Sequence, residues 1–210
     1  MTKSVPLSLP DISDKEIKLV SNVIKSGWLA HGEWNKKFED SFSNFIGVKD
    51  SITMNSCTSA LEIALKVNKI RGEVIIPSMT WCATANAVIN AGAKPVFCEV
   101  ESKTRNVSAQ TIFPLISSKT EAIIVVHFGG QTCNMDEITK LAKRSKLLLI
   151  EDSAETLGGT WKKKKAGSFG IGCFSFFPTK NLTTGEGGMF TCNDKSTLDK
   201  ARALIGHGIT

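Results

Sequence analysis

The stretch SITMNSCTSALEIALKV, residues 51–67, contains the unit that decides the fold. It begins with a short apolar strand predicted at residues 51–54, passes through a polar turn, and ends in a helix predicted at residues 60–67. The same order of strand, loop and helix recurs along the chain. Because strands that alternate with helices and are apolar on both faces build parallel sheets, the sequence predicts an α/β fold in which helices cover both faces of a mostly parallel sheet.

The repeated pattern supplies the other elements of this sheet. Strands are predicted at residues 74–76, 95–99, 122–127, 147–151 and 173–177, with helices at residues 80–91 and 135–144. A last strand, residues 189–191, follows a connection that is too short for a crossover, so we expect it to pair antiparallel. The predicted sheet therefore contains one antiparallel strand.

Two helices are predicted before the repeat. The first takes Ser13 or Asp14 as its N-cap and ends at Gly27. The second covers residues 33–46. Its apolar face is expected to pack into the core and consists of Phe38, Phe42 and Phe45.

The composition is that of an ordinary globular protein, since 41% of the 210 residues are hydrophobic and 22% are charged. These values argue against a disordered chain. The expected organisation is an N-terminal arm with a helix over residues 1–25 and one large domain over residues 26–210. The longest apolar runs are too short to cross a bilayer, and the first ten residues lack the apolar core of a secretory signal. We therefore expect a cytoplasmic protein without a membrane partner.

The net charge of +6 permits attraction to phosphates, nucleotide sugars and nucleic acids, but it selects none of them. The densest basic cluster, residues 162–165, contains no interleaved aromatic residue, which favours a solvated hairpin turn over a nucleic-acid site. No nucleic-acid partner is expected. The six cysteines lack zinc-ligand spacing, so we expect reduced thiols that mostly fill the core, and no metal site.

Ligands of open parallel sheets bind beyond the carboxyl ends of the strands, so candidate site residues follow the predicted strands. Lys180 lies in a loop rich in Gly and Thr, shortly after a strand and Pro178. Its amine could form a Schiff base with an aldehyde cofactor, most often pyridoxal phosphate (PLP), although most lysines are surface charges. Ser175, five residues earlier, offers a hydroxyl for the cofactor phosphate.

Three other candidates each have a structural alternative. Asp152 follows a buried strand and suits a protonated pyridine nitrogen, but capping of the following turn explains it equally well. Residues 56–59 open a helix and suit a phosphate, whereas plain helix capping explains the same residues. Trp81 could stack on a cofactor ring, although a lone aromatic residue is more often part of the core.

These residues stand in collinear blocks that resemble the DegT/DnrJ/StrS family of PLP-dependent sugar aminotransferases, from about Pro6 to the last residue. The blocks are GWLAHG (27–32), NSCTSALEIAL (55–65), IIPSMTWCATANAVINAGAKPVF (75–97), VVHFGGQTCNMDEI (125–138), IEDSAETLGG (150–159) and GSFGIGCFSFFPTKNLTTGEGGM (167–189). The resemblance implies the large domain of the fold type I PLP-dependent transferases, with PLP as the cofactor.

The resemblance also implies a role for each matched residue. Lys180 would carry PLP as a Schiff base and would move the proton during transamination. Asp152 would pair with the pyridine nitrogen, and Trp81 would stack on the ring. The phosphate would be held by Cys57, Thr58 and Ser175.

Two residues depart from the family pattern. Glu155 stands where Gln or His usually contacts the phenolic oxygen of the cofactor. A carboxylate there would have to donate a proton or act through water, because it repels a phenolate. Cys57 stands where Gly is common. The resemblance further implies a C-terminal stretch beyond Thr210 that completes the substrate site, so a truncated family member is expected.

The implied function is the transfer of an amino group from an amino acid, with glutamate expected, to a keto group of a nucleotide-linked deoxysugar. The product would serve polysaccharide or glycosylated-metabolite biosynthesis, and the full-length protein would be a homodimer. The alternative is a non-catalytic PLP-binding or regulatory protein of the same fold. A general nucleotide-binding domain is a weaker alternative, because the sequence contains no GxGxxG or GxxxxGK[ST] motif.

Overall fold

The computed structural model describes residues 5–6 and 8–208, so parts of the predicted arm (1–25) and of the predicted large domain (26–210) lie outside the described residues. The helices are α1 (Asp14–Ser26), α2 (Glu33–Ile46), α3 (Cys57–Val67), α4 (Cys82–Asn90), α5 (Ala109–Ile112), α6 (Met135–Ser145) and α7 (Lys195–Ile205). The strands are β1 (Asp50–Met54), β2 (Glu73–Pro77), β3 (Lys94–Cys98), β4 (Thr120–Val126), β5 (Leu148–Asp152), β6 (Thr160–Trp161), β7 (Lys164–Lys165), β8 (Ile171–Ser175) and β9 (Gly188–Cys192).

Seven of the described strands form one sheet in the order β1-β9-β8-β5-β4-β2-β3. Strand β9 pairs antiparallel with both β1 and β8, and the other neighbouring pairs are parallel. The predicted sheet with one antiparallel strand is therefore confirmed. Strands β6 and β7 form a separate hairpin. Its turn residues Lys162 and Lys163 have positive φ angles, so the basic cluster at residues 162–165 lies in a hairpin, as predicted, and supplies its turn and its second strand.

Neighbouring residues of the buried strands face opposite layers of helices. In β5, Ile150 belongs to the core cluster that contains Leu61 of α3 and Val88 of α4. Leu149 belongs to the opposite cluster, together with Ile138 of α6. Because side chains alternate along a strand, the continuous apolar sequence of β5 supplies both layers. Helices cover both faces of the sheet, as predicted.

Helix α1 begins and ends as the sequence predicts. The Ser13 side chain accepts a hydrogen bond from the Lys15 N–H and forms a capping box with Glu16, and Gly27 ends the helix with φ 73°. None of the side chains of α1 is buried. Within the described part of the chain, each helix is too short or too polar to span a membrane.

The apolar face of α2 agrees only in part with the prediction. Phe42 is buried, with its ring centroid 4.9 Å from that of Phe174, and Phe38 packs against the same cluster. Phe45 is 46% exposed and lies outside the core, contrary to the prediction. The reason is the phase of the helix, because its buried stripe runs from Phe42 to Ile46, four residues apart.

Two boundaries that affect the site differ from the prediction. Helix α3 begins at Cys57 rather than at residue 60, because the Ser56 hydroxyl accepts the Ser59 N–H at 3.1 Å and caps the helix there. Strand β8 ends at Ser175 rather than at residue 177. Ser175 pairs with Gly188, the first residue of β9, so the ladder between these strands ends at this pair. The other predicted boundaries agree to within two residues.

Candidate active site

The predicted site residues lie along the edge of the sheet formed by the carboxyl ends of its parallel strands. Cys57 and Thr58 open α3 just after β1, and Trp81 is the N-cap of α4 after β2. Asp152 is the last residue of β5, whereas the sequence predicted it as the first residue after that strand. Ser175 is the last residue of β8. One edge of one sheet therefore carries candidates from four strand ends, which is where ligands of such sheets bind.

The N-terminus of α3 packs closely against the start of β9. Gly188 pairs with Ser175 on one side and with Met54 of β1 on the other. A Cβ atom at Gly188 would lie 2.6 Å from the Ser56 carbonyl oxygen and 2.7 Å from the Cys57 nitrogen. Only glycine allows this approach, which brings the first turn of α3 beside the end of β8.

This first turn of α3 has the properties of an anion site. The N–H groups of Cys57 and Thr58 are the first two of the helix, so they have no intrahelical acceptor, and the helix dipole adds positive potential there. Ser56 uses its hydroxyl to cap the helix, which confirms the capping interpretation of residues 56–59. That cap leaves the first two N–H groups free for a ligand, so a phosphate group could bind beside them and beside Ser175.

Asp152 is a buried carboxyl, 7% exposed, and it faces hydrogen-bond donors from three directions. The Thr84 hydroxyl donates to Oδ2 at 2.9 Å, the Ala154 N–H donates to Oδ1 at 3.2 Å, and the Cys57 thiol lies 3.8 Å from Oδ1. The bond from Ala154 is the turn cap that the sequence offered as an alternative. Asp152 therefore has this structural role, and its carboxylate has further contacts beyond it.

The surroundings of Asp152 suit a cationic ligand. Burial raises the pKa of this carboxyl above its ordinary value, while the hydrogen bonds from Ala154 and Thr84 act in the opposite direction. None of the ion pairs among the described residues includes Asp152. A buried carboxylate without a contacting cation is costly, and a protonated ring nitrogen would supply the missing charge.

Lys180 is held at the same edge by a tight turn. Its N–H donates to the Phe177 carbonyl at 2.9 Å, and Pro178 between them favours this turn. The side chain is 23% exposed, and Nζ lies 3.7 Å from Oε1 of Glu155. The other oxygen of Glu155 accepts the Gly129 N–H at 3.0 Å. The amine is accessible to a ligand and stands beside a carboxylate.

Trp81 and Cys57 differ in exposure. The Trp81 side chain is 78% exposed, so its interpretation as a core residue is wrong. Its indole faces are open to a planar ligand. Cys57 is buried, and burial raises the pKa of its thiol well above the usual value, so this thiol is not a reactive nucleophile. Five of the six cysteines are buried and Cys82 is exposed, which agrees with thiols that mostly fill the core.

Two features of the site were not predicted. Thr84, which donates to Asp152, lies one turn into α4 and four residues after Thr80. The i, i+4 spacing of two threonines at a helix start was the only signal in the sequence.

The second feature is a buried pair beside the site. His127 donates through Nε2 to the buried Glu151 carboxylate at 3.1 Å, since its Nδ1 accepts the Cys133 N–H. Glu151 also accepts three backbone N–H groups of the loop before β8, so it anchors that loop.

The donor set fits PLP. The free N–H groups of α3 suit a phosphate, the unpaired Asp152 carboxylate suits a ring nitrogen, and the Lys180 amine suits an aldehyde. The exposed Trp81 indole offers a face for an aromatic ring. The phosphate, ring nitrogen, aldehyde and ring face of that cofactor therefore each have a complementary group at this edge of the sheet.

Comparison with known proteins places this chain in a family. Residues 10–210 match the DegT/DnrJ/EryC1/StrS aminotransferase family. Spore coat polysaccharide biosynthesis protein SpsC of Bacillus subtilis (strain 168) is 42% identical over 98% of this chain and 54% of its own length. GDP-perosamine synthase of Caulobacter vibrioides is 41% identical over 98% of this chain and 56% of its own length.

Solved structures agree with this assignment. The PLP form of Spr1654 from Streptococcus pneumoniae superposes with a TM-score of 0.93 at 29% identity, covering 99% of this chain and 59% of that one. The chain spans about half the length of the curated relatives it matches. On the match over residues 10–210, the chain belongs to the DegT/DnrJ/EryC1/StrS aminotransferase family.

Proposed function

We propose that this chain is the PLP-binding part of an aminotransferase acting on nucleotide sugars. The amino group would pass from an amino acid, with glutamate expected, to a keto group of a nucleotide-linked deoxysugar used for polysaccharide or glycosylated-metabolite biosynthesis. The observation that carries the proposal is the set of groups at one edge of the sheet. They are a lysine amine, a buried carboxylate that has no ion-pair partner among the described residues, and a helix N-terminus. The relative named GDP-perosamine synthase and the neighbour solved in its PLP form support it.

Each site residue has a role in this proposal. Asp152 would pair with the ring nitrogen, and Trp81 would stack on the ring. Glu155, which accepts the Gly129 N–H, would interact with the phenolic oxygen. Cys57, Thr58 and Ser175 would hold the phosphate.

Bound PLP would supply the electron sink that lets a proton leave the carbon bearing the amino group. Lys180 is the group proposed to take and return that proton, because its amine is accessible and lies on a turn at the strand ends. Asp152 would keep the ring nitrogen positively charged, and its burial strengthens this interaction by excluding water. Glu155 would orient Lys180 through their 3.7 Å contact.

The cofactor part of the proposal is tested with the chain itself. PLP is added to the purified chain, the absorption spectrum is recorded, borohydride is added, and the modified peptide is mapped. We expect a visible band and a pyridoxyl group on Lys180. Lys180→Ala should abolish the band while the matched control Lys195→Ala, at an exposed pair with Asp199, should retain it. A pyridoxyl group on another lysine would overturn the assignment.

Turnover separates the aminotransferase from a non-catalytic PLP-binding protein. Release of 2-oxoglutarate is followed with glutamate and a GDP-linked keto-deoxysugar as the test pair, in a protein that is as long as the curated relatives. Turnover that disappears in Lys180→Ala supports the proposal. A stable coloured complex without turnover on any nucleotide-linked keto sugar supports the non-catalytic alternative.

The homodimer and the cytoplasmic location belong to the same proposal. The resemblance to the family is their support. Light scattering, on a protein that is as long as the curated relatives, measures the oligomeric state. A monomer at micromolar concentration would contradict the dimer. The division into an arm over residues 1–25 and a PLP-binding domain over residues 26–210 is a proposal as well, to be tested by limited proteolysis.

A further inference from the structure

The hydroxyl of Thr84 is buried against the Asp152 carboxylate. Thr84 has no exposed surface, and its Oγ1 lies 2.9 Å from Oδ2 of Asp152. The two residues come from α4 and from the end of β5, which pack together in one core cluster through Val88 and Ile150. Because a carboxylate oxygen only accepts, the Thr84 hydroxyl must donate its single proton to it.

A second hydroxyl stands behind the first. Oγ1 of Thr80 lies 2.7 Å from Oγ1 of Thr84. Since Thr84 has used its proton on Asp152, Thr80 must be the donor in this pair. The two threonines therefore form a chain of hydroxyls with both donors directed toward the carboxylate. Such a chain polarises its members and strengthens the last bond.

The groups that face Asp152 from other elements do not replace this contact. The Ala154 N–H from the following turn and the Cys57 thiol from α3 both contact the other oxygen, Oδ1. Lys180 acts on Asp152 only through longer-range charge, the His127 imidazole donates to Glu151 instead, and the Cys173 thiol of β8 is buried nearby. Oδ2 thus has Thr84 as its donor within the described residues.

We propose that Thr84, supported by Thr80, is a positioning residue that fixes the Asp152 carboxylate and keeps it charged for the ring nitrogen of the cofactor. The inference rests on the proposed function for the identity of the ligand, and on the two hydrogen-bond distances for the contact itself. Neither threonine touches the reacting carbon in this proposal. If the proposal is correct, the Asp152 carboxylate is held and kept charged by the hydroxyl of Thr84 and not by the volume of its side chain.

The variants follow from this consequence. Thr84→Val keeps nearly the same volume and removes the hydroxyl, and Thr84→Ser retains the hydroxyl. The matched control is Thr191→Val, because Thr191 is equally buried and donates to the Gly167 carbonyl at 2.6 Å. Thr80→Val removes the supporting hydroxyl at a less buried position, in case Thr84→Val does not fold.

Two measurements are made on each variant. The first is the free energy of unfolding by urea between pH 4.5 and 8 without PLP. Burial already raises the pKa of Asp152, and Thr84 opposes this, so loss of the hydroxyl raises it further. Stability is lost as pH rises through a raised carboxyl pKa, so Thr84→Val should lose stability over a wider pH range than the wild type. The second measurement is the PLP dissociation constant, expected to increase about tenfold.

The outcomes separate the two proposals. The inference is supported if Thr84→Val, or Thr80→Val to a smaller extent, changes the pH dependence while Thr84→Ser behaves as wild type and Thr191→Val lowers stability equally at each pH. It is overturned if Thr84→Val and Thr191→Val give parallel curves. If the wild-type chain takes up no PLP, the proposed function is contradicted, and the pH curves still decide the role of Thr84.

Discussion

At the residue scale, Asp152 illustrates a conflict between stability and binding. Its carboxyl is buried, and burial raises its pKa above the ordinary value of 3.8. The folded chain therefore binds this proton more tightly than the unfolded chain does. The stability that this carboxyl contributes is complete below pH 3.8 and is lost as pH rises through the raised pKa. A cationic ligand would compensate for this loss.

We therefore expect Asp152→Asn to have opposite effects with and without the cofactor. Without PLP, urea unfolding should show a stability at pH 7 equal to or above that of the wild type, because the buried charge is gone. The PLP dissociation constant should increase, since loss of a charge-assisted contact costs about 1.5–3 kcal/mol. Asp199→Asn, on the exposed face of α7, is the control and should change neither quantity. If Asp152→Asn binds PLP with wild-type affinity, the proposed pairing of Asp152 with the ring nitrogen is wrong.

At the scale of elements, the contact between α3 and β9 depends on a single glycine. A side chain at Gly188 would collide with backbone atoms of Ser56 and Cys57, which cannot rotate away. The cap of α3 and the ladder between β8 and β9 meet at this point, so a displacement of the helix would also move the free N–H groups away from Ser175.

We expect Gly188→Ala to destabilise the chain by about 1–3 kcal/mol, as for other overpacked sites, and to weaken binding of PLP. The neighbouring variant Gly187→Ala is the matched control, because its new Cβ would meet mainly the Thr184 and Phe176 side chains. Urea unfolding and PLP titration measure both effects. Equal losses in the two variants would show that the approach of α3 to β9 is not the sensitive contact.

At the scale of the whole molecule, a partly buried charge network joins α2 and β1 to the last described helix, α7. Glu39 of α2 is fully buried, accepts the Thr53 N–H of β1 at 2.8 Å, and pairs with Arg202 of α7 at 3.1 Å. Arg202 also pairs with Asp50 at 2.9 Å. The network ties α7 to the edge strand β1, although these elements are separated by most of the sequence.

We expect Arg202→Ala to destabilise the chain by about 2 kcal/mol, because it removes the guanidinium from the buried Glu39 carboxylate and leaves it only the half-exposed His31 imidazole at 3.2 Å as a basic partner among the described residues. That value is below the usual cost of breaking a buried pair because Arg202 is about one-third exposed. Lys195→Ala in the same helix breaks only an exposed pair and should cost at most about 0.5 kcal/mol. A double variant with Glu39→Gln should recover part of the loss in urea unfolding. No recovery would exclude the buried charge as the cause.

Much of the fold was predictable because it depends on local patterns. The antiparallel β9 followed from the short connection before it, and the caps Ser13 and Gly27 followed from residue type alone. The prediction that Phe45 lies in the core is wrong, because the spacing of three phenylalanines does not show which side of a helix meets the sheet. The phase of α2 was decided by its packing against β1 and β8.

The candidate site was predictable to a different extent. By itself, the sequence determined the order of strands and helices, the strand that ends at Asp152 and the loop that holds Lys180, because periodicity and chain connection settle these. Only the tertiary structure decided that Thr84 donates to Asp152, 68 residues away, and that Gly188 lets α3 approach β8. Such contacts depend on how separate layers pack, and the local pattern of the chain does not contain that information.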